Sequence, residues 1–225
     1  MKAVVKIGGF AFPGRDKTTL VAEYVKILKE LADEFRLVVV TGGGEIARTY
    51  IATARELRVP ESLCDQLGIL VSRLNARLLV DGLGEHAFPE VPTTIDELKH
   101  YYSSGKIVAM GGLTPGHSTN AVAALAAETI KADRFVNATD VDGVYTADPI
   151  KDPSAKRLDK VSLSQLMQIL SKNEAMAGSY ELMDHLALRI IQRSKIPTVI
   201  LNGRSPSNVV KALRGGEIGT KITPD

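Results

Sequence analysis

Hydrophobic positions in this chain follow two alternating periods. Short β-branched runs at 4–7, 37–41, 107–110, 134–138 and 198–201 are almost continuously apolar, which predicts parallel strands buried on both faces. Between them apolar residues recur at helical spacing. Leu20, Val21, Tyr24, Val25, Leu28 and Leu31 make one stripe, and Ile46, Tyr50, Ile51 and Ala54 make another within 45–57. A long helix is expected at 62–83, broken near Gly68. Its apolar residues cover more than one face, as in a helix that is buried or packed against a second subunit. An alanine-rich helix follows at 120–131, then helices near 162–171, 179–194 and 206–214, and a last strand near 218–222. This alternation predicts an α/β fold, an open, mostly parallel sheet in a three-layer α/β/α sandwich. The natural division is an N-terminal lobe, 1–132, and a C-terminal lobe, 133–225, sharing one continuous sheet.

Three strands run straight into glycines: Val4-Val5-Lys6-Ile7-Gly8-Gly9, Leu37-Val38-Val39-Val40-Thr41-Gly42-Gly43-Gly44 and Ile107-Val108-Ala109-Met110-Gly111-Gly112. Glycine at the carboxyl end of a buried strand lets backbone N–H groups turn outward and approach a ligand closely. Three such turns on one sheet edge describe a crevice for several phosphates. They point to a phosphotransferase whose two substrates are both anionic.

Bulk composition narrows the partners. At 225 residues, with 44% hydrophobic and 24% charged residues, the chain reads as an ordinary globular protein. A net charge of +2 and no Trp argue against a nucleic-acid surface. Cys64 is the only cysteine, so no internal disulfide forms and a reducing cytosol is the expected home. The opening Met1-Lys2-Ala3-Val4-Val5-Lys6 is unlike a signal peptide, and no run of about 18 apolar residues predicts a membrane span.

Within the glycine turns, two cations stand out. Lys6 lies two residues before the first glycine pair, where its ammonium reaches a transferring phosphoryl group and neutralises its charge. An edge-strand lysine in water is the competing reading. Arg48 lies one turn inside the helix that Gly42-Gly43-Gly44 opens, and its planar fork suits an anion held by free N–H groups at that helix start. In the third loop Ser118 or Thr119 can cap the following helix. Neither a Walker A motif, a Gly-x-Gly-x-x-Gly turn nor a Gly-x-Ser-x-Gly elbow is present. With four His and one Cys, none at ligand spacing, no protein metal site is expected.

Five segments together resemble the amino acid kinase superfamily, and within it the archaeal-type uridylate (UMP) kinases. They are Lys6-Ile-Gly-Gly9, Thr41-Gly-Gly-Gly-x-x-Ala-Arg48, Asp65-x-x-Gly-Ile-x-x-Ser-Arg-x-Asn-Ala76, Gly111-Gly-x-x-Pro-Gly-His-Ser-Thr119 and Thr139-x-Val-Asp-Gly-Val-Tyr-Thr-Ala-Asp-Pro149. Weaker similarity continues through Ala177-Gly-Ser179, Asp184 and residues 219–222. The resemblance implies an amino acid kinase-like fold and transfer of the ATP γ-phosphoryl group to UMP, with Mg2+ accompanying ATP. Carried over by position, it implies an ATP side formed by Gly9, Phe10, Gly44, Arg48, Thr139, Asp140, Tyr145 and Asp148. The UMP side would use Gly43, Asp65 and the loop of Leu113, Thr114, Pro115, Gly116, His117, Ser118 and Thr119. The N-terminal lobe then binds UMP and the C-terminal lobe ATP. Lys6 and Arg48 would be the catalytic cations.

Phosphate chemistry agrees with this implication. The acceptor is already a phosphate, largely dianionic near neutral pH, so no general base is required. The resemblance also implies a cytoplasmic enzyme of pyrimidine nucleotide synthesis, assembled as a homohexamer of dimers, with the helix at 62–83 as the contact surface. Three positions depart from many relatives: Phe10, whose backbone then serves ATP, Asn120 in place of an aspartate, and Asp140 in place of Asn. The rival acceptors on this fold are acetylglutamate, carbamate, aspartate and isopentenyl phosphate. Isopentenyl phosphate kinases usually continue the triple glycine with a Ser-Phe-Gly-His-like run, where this chain has Glu45-Ile-Ala-Arg48. A relative that binds nucleotide without turnover is the non-enzymatic rival.

Overall fold

The computed structural model describes residues 1–14, 20–147, 152, 154–174 and 182–223. Their strands are Lys2–Ile7 (β1), Arg36–Thr41 (β2), Val108–Met110 (β3), Arg134–Thr139 (β4), Lys160–Ser162 (β5), Thr198–Asn202 (β6) and Thr220–Thr223 (β7). These form one sheet in the order β3-β2-β1-β4-β6-β7-β5. Every pairing is parallel except β6 with β7. β5 and the expected last strand, β7, are parallel to each other and therefore run opposite to the other five.

The helices are Val21–Leu31 (α1), Gly44–Glu56 (α2), Glu61–Leu83 (α3), Ile95–Tyr102 (α4), Thr119–Ile130 (α5), Leu163–Glu174 (α6), His185–Ser194 (α7) and Ser207–Leu213 (α8). Alternate strand residues feed two cores, because successive side chains point to opposite faces of a sheet. Val4, Val38, Val40, Met110 and Phe135 pack with α4, α5, α6 and α7. Val5, Ile7, Val39, Val136 and Leu201 pack with α1, α3 and α8. Burying each large aliphatic side chain in such a core contributes about 1.5–3 kcal/mol, so the three-layer sandwich follows from the pattern of the strands.

Four differences from the sequence reading have physical causes. First, α3 runs unbroken through Gly68, whose missing side chain admits Ile51 of α2: a Cβ there would lie 3.2 Å from Ile51 Cδ1. Second, α4 was not anticipated. Thr94 caps it by accepting from the Glu97 N–H at 3.1 Å, while the Glu97 carboxylate accepts from the Thr93 N–H at 2.6 Å. Third, β5 is three residues long and exists by pairing with β7, too short to show a period. Fourth, α7 starts at His185, capped by Asp184, rather than near 179; residues 179–181 lie outside the described residues.

Candidate active site

All three strand-to-glycine turns lie at the carboxyl edge of neighbouring strands, β1, β2 and β3. The first two touch backbone to backbone. A Cβ on Gly9 would stand 2.0 Å from the Gly44 nitrogen, and one on Gly44 would stand 2.5 Å from the Gly9 oxygen. Gly44 also has φ +66°, which L side chains rarely adopt. The third turn rests on α3 instead: a Cβ on Gly111 would lie 2.5 Å from the Arg73 nitrogen. Part of the glycine signal is thus close packing, and the packing is what brings the turns together.

Helix α3 organises the edge. Thr41 donates its hydroxyl to the Ser72 carbonyl at 2.8 Å, and Asn75 Nδ2 donates to the Gly42 carbonyl at 2.8 Å. Ser72 Oγ accepts from the Gly112 N–H at 2.8 Å, and Arg73 Nε donates to the Gly112 carbonyl at 2.9 Å. Asp65 Oδ2 accepts from the Gly116 N–H at 2.8 Å. These residues hold the second and third turns in register on one helix face.

Between them opens a cavity of about 250 Å³ lined by Gly43, Gly44, Ala47, Arg48, Ile51, Asp65, Gly68, Ile69, Ser72, Gly112, His117 and Thr119. It gathers Gly43, Gly44, Arg48, Asp65, His117 and Thr119 from the sequence-based set. Ile51, Gly68, Ile69 and Ser72 were not in that set, although 65, 68, 69 and 72 share one helical face by spacing. Gly43 carries no side-chain cap at the start of α2, and the positive end of that helix's dipole faces the cavity through Gly43 and Gly44. Leu113, Thr114 and Pro115 stand on the loop above, outside the cavity lining. Ser118 caps α5 by accepting from the Ala121 N–H at 3.0 Å, as one reading of the sequence expected.

Lys6 is not on an edge strand. β1 lies between β2 and β4, with Lys6 paired in register to Val40 and Asn137, on the face of the α5–α7 core. Burial lowers its ammonium pKa to about 8, against the opposing pull of the Asp140 and Asp184 carboxylates. The ammonium is therefore less firmly held in its charged form than that of a lysine in water.

Across β1 the other half of the edge is built from β4 and β6. Thr139 is buried, its hydroxyl 3.1 Å from the Val141 carbonyl, so it shapes the turn that carries Asp140. Asp142 accepts from Asn202 Nδ2 at 2.9 Å and from the Tyr145 hydroxyl at 3.4 Å. Asp148 lies outside the described residues. A fourth strand-to-glycine turn, Leu201-Asn202-Gly203, went unread in the sequence. Gly203 packs on Phe10, whose ring lies 5.6 Å from the Arg204 guanidinium carbon.

Two larger depressions, of about 670 Å³ around Lys160 and Lys221 and about 500 Å³ around Asp133 and Pro197, hold none of the glycine turns and not Lys6. Convergent chemistry, not volume, selects the site. Among the described residues no helix is long and apolar enough to cross a membrane, and no three His, Cys, Asp or Glu cluster as a metal site.

The profile of the amino acid kinase family matches residues 1–202. A uridylate kinase from Methanothermobacter thermautotrophicus is 45% identical over 225 residues, covering 100% of both chains. One from Hyperthermus butylicus is 47% identical over 221 residues, covering 98% of this chain and 97% of that one. Among solved structures, uridylate kinase from Archaeoglobus fulgidus superposes with a TM-score of 0.89 at 43% identity, covering 99% of this chain and 100% of that one. The UMP kinase of Bacillus anthracis shares the fold, with a TM-score of 0.83 at 22% identity over 100% of this chain and 96% of that one.

Proposed function

This chain belongs to the amino acid kinase family, and from that premise we propose that it transfers the γ-phosphoryl group of ATP to UMP, giving UDP and ADP. The observation that carries the reading is the cavity between the second and third glycine turns, whose lining brings Arg48 and the start of α2 together with Asp65. Arg48 and the helix start suit a phosphate, and Asp65 suits ribose hydroxyls, for which a carboxylate is an acceptor. Full-length similarity to proteins named uridylate kinase supports UMP as the occupant.

The reaction asks the protein for position and charge. An oxygen of the UMP phosphate attacks the γ-phosphorus of ATP, and the bond from that phosphorus to the β–γ bridging oxygen breaks. No proton needs to leave the nucleophile, so no base is assigned. Lys6 and Arg48 neutralise the two anions, while backbone N–H groups of Gly9 and Gly44 hold the transferring group where the first two turns meet. Gly43, Asp65, Leu113, Thr114, Pro115, Gly116, His117, Ser118 and Thr119 form the acceptor side in the half 1–132. Phe10, Thr139, Asp140, Tyr145 and Asp148 form the donor side with the half 133–225. Arg204 joins the donor side from the fourth turn.

Mg2+ takes oxygen ligands and is commonly held by substrate phosphates with one or two carboxylates. No side chain is assigned to the ion, whose donors the nucleotide phosphates supply. When bound, the ion neutralises phosphate charge.

The exposed apolar surface is concentrated on α2 and α3, where Tyr50, Leu63, Leu70 and Leu74 are each more than half exposed. We assign this stripe to a subunit contact in a homo-oligomer, a hexamer of dimers, acting in the cytoplasm in pyrimidine nucleotide synthesis. A monomeric mass in solution would contradict the assembly.

Asp65→Ala should raise the KM for UMP about tenfold and leave the KM for ATP within about twofold, because a charge-assisted contact is worth roughly that factor. An unchanged KM for UMP would remove Asp65 from the acceptor site. The acceptor itself is tested by offering UMP, CMP, acetylglutamate and isopentenyl phosphate separately with ATP and Mg2+. UMP should be consumed fastest. Preference for acetylglutamate or isopentenyl phosphate, or binding of ATP with no product from any acceptor, would overturn the reading.

A further inference from the structure

Two amides beneath the glycine edge, one buried and one half-buried, have unfinished hydrogen bonding. Asn137 on β4 and Asn120 in the first turn of α5 both donate Nδ2 to one acceptor, the carbonyl of Leu182, at 3.1 and 3.4 Å. A carbonyl can only accept, so each amide turns its nitrogen toward Leu182 and its oxygen away. Both Oδ1 atoms are then buried without a partner. A buried acceptor left unpaired costs about 1–3 kcal/mol, and two in contact with the same carbonyl call for an explanation.

Lys6 can supply the missing donor. It is the register partner of Asn137 on the adjacent strand and shares its face of the sheet. Adjacent strands run about 4.8 Å apart, well within the reach of a lysine side chain. Lys6 has three N–H donors and, among the described residues, no hydrogen bond or ion pair.

Resting on the catalytic reading of Lys6, we propose that Asn137, with Asn120 beside it, is a positioning residue: its amide oxygen receives the Lys6 ammonium and holds it at the end of β1. A neutral acceptor suits this work. It favours the charged lysine against burial, yet it does not compete for the ammonium as a carboxylate would once phosphate arrives. The charged groups facing Lys6 are Asp140, after β4, and Asp184, before α7; on the β2 side its partner is the uncharged Val40. Asp184 is itself occupied, capping α7 through the Ala187 N–H at 3.0 Å and accepting the Ser118 hydroxyl. The Leu182 carbonyl keeps Asn120 when Asn137 is changed, so the segment before α7 retains an anchor.

The test compares the pH dependence of kcat/KM, measured with both nucleotides below saturation so that it reports the free enzyme. The wild-type alkaline limb should fall near pH 8, where Lys6 discharges. Asn137→Leu removes the acceptor: kcat/KM near neutral pH should drop about tenfold, and the limb should move to lower pH. Asn137→Asp restores an acceptor and adds negative charge, so the limb should move to higher pH. Limbs that stay in place in both variants, or that move in the same direction, would overturn the assignment. Lys6→Met in the same series separates the two readings. Wild-type turnover there would overturn the catalytic role of Lys6. Lost turnover there with unmoved Asn137 limbs would overturn this inference alone.

Discussion

Lys6→Met should make the protein more stable and nearly inactive. Removing a preorganised cation from a phosphoryl-transfer site costs on the order of 10²–10³ in kcat. The stability change has the opposite sign because burial lowers the Lys6 pKa to about 8 from the 10.5 of a free lysine. Below pH 8 both folded and unfolded chains carry the proton, and the folded state bears the whole cost of a buried charge. Between pH 8 and 10.5 the folded state releases its proton first, so wild-type stability rises across that window. Methionine keeps the length of the side chain without the charge. The gain below pH 8 is at most on the order of 3 kcal/mol, which corresponds to several degrees in Tm for a chain of this size. It should fade as pH passes 10. Thermal unfolding of both forms at pH 7 and pH 10, beside their turnover, checks both halves. A Met variant that is less stable at pH 7, or that turns over normally, contradicts the account of this residue.

Gly9→Ala should be the most damaging single methyl group in the molecule. The new carbon would meet the Gly44 nitrogen at 2.0 Å and the Gly44 Cα at 2.1 Å, and backbone atoms cannot swing aside as a side-chain tip can. The first two turns must separate. That displaces the N–H groups on which both the transferring phosphate and the start of α2 depend. A loss of about 3 kcal/mol in stability and at least about 10³ in turnover is expected, since a shift of about 1 Å in a positioning site alone costs about 10². Gly84→Ala is the matched control. Gly84 has a φ of +59°, which Gly9 does not share, and nothing lies within 4 Å of its added carbon, so it isolates backbone cost from contact. It should lose only about 1–2 kcal/mol, the conformational cost, and keep its turnover. Comparable kcat values for the two variants would show that contact between the turns is not what the site requires.

Much of this was legible because the sheet is parallel and buried. Continuous apolar strands ending in glycine mark both the fold and its working edge, and β1, β2 and β3 are found by that rule alone. The same rule finds β6 running into Gly203, a fourth turn passed over because Asn202 interrupts the apolar run. Helix α4 carried a readable capping box, Thr94 to Glu97, after a stretch rich in proline. What no local pattern contained was the strand order. Lys6 is partly buried because β4 lies beside β1, more than a hundred residues away in sequence, and the pairing of Lys6 with Asn137 follows from that insertion. Ser72, Arg73 and Asn75 read as features of one helix, yet their hydrogen bonds hold two distant loops. Their role depends on tertiary placement, which periodicity does not encode.

The central claim is direct transfer between two nucleotides bound across the glycine edge. Incubating the protein with Mg2+, UMP and ATP labelled in the γ-phosphate tests it. The label should appear as the β-phosphate of UDP, one equivalent for each ADP formed, with little free phosphate. Label released as inorganic phosphate while UMP stays unchanged would contradict it.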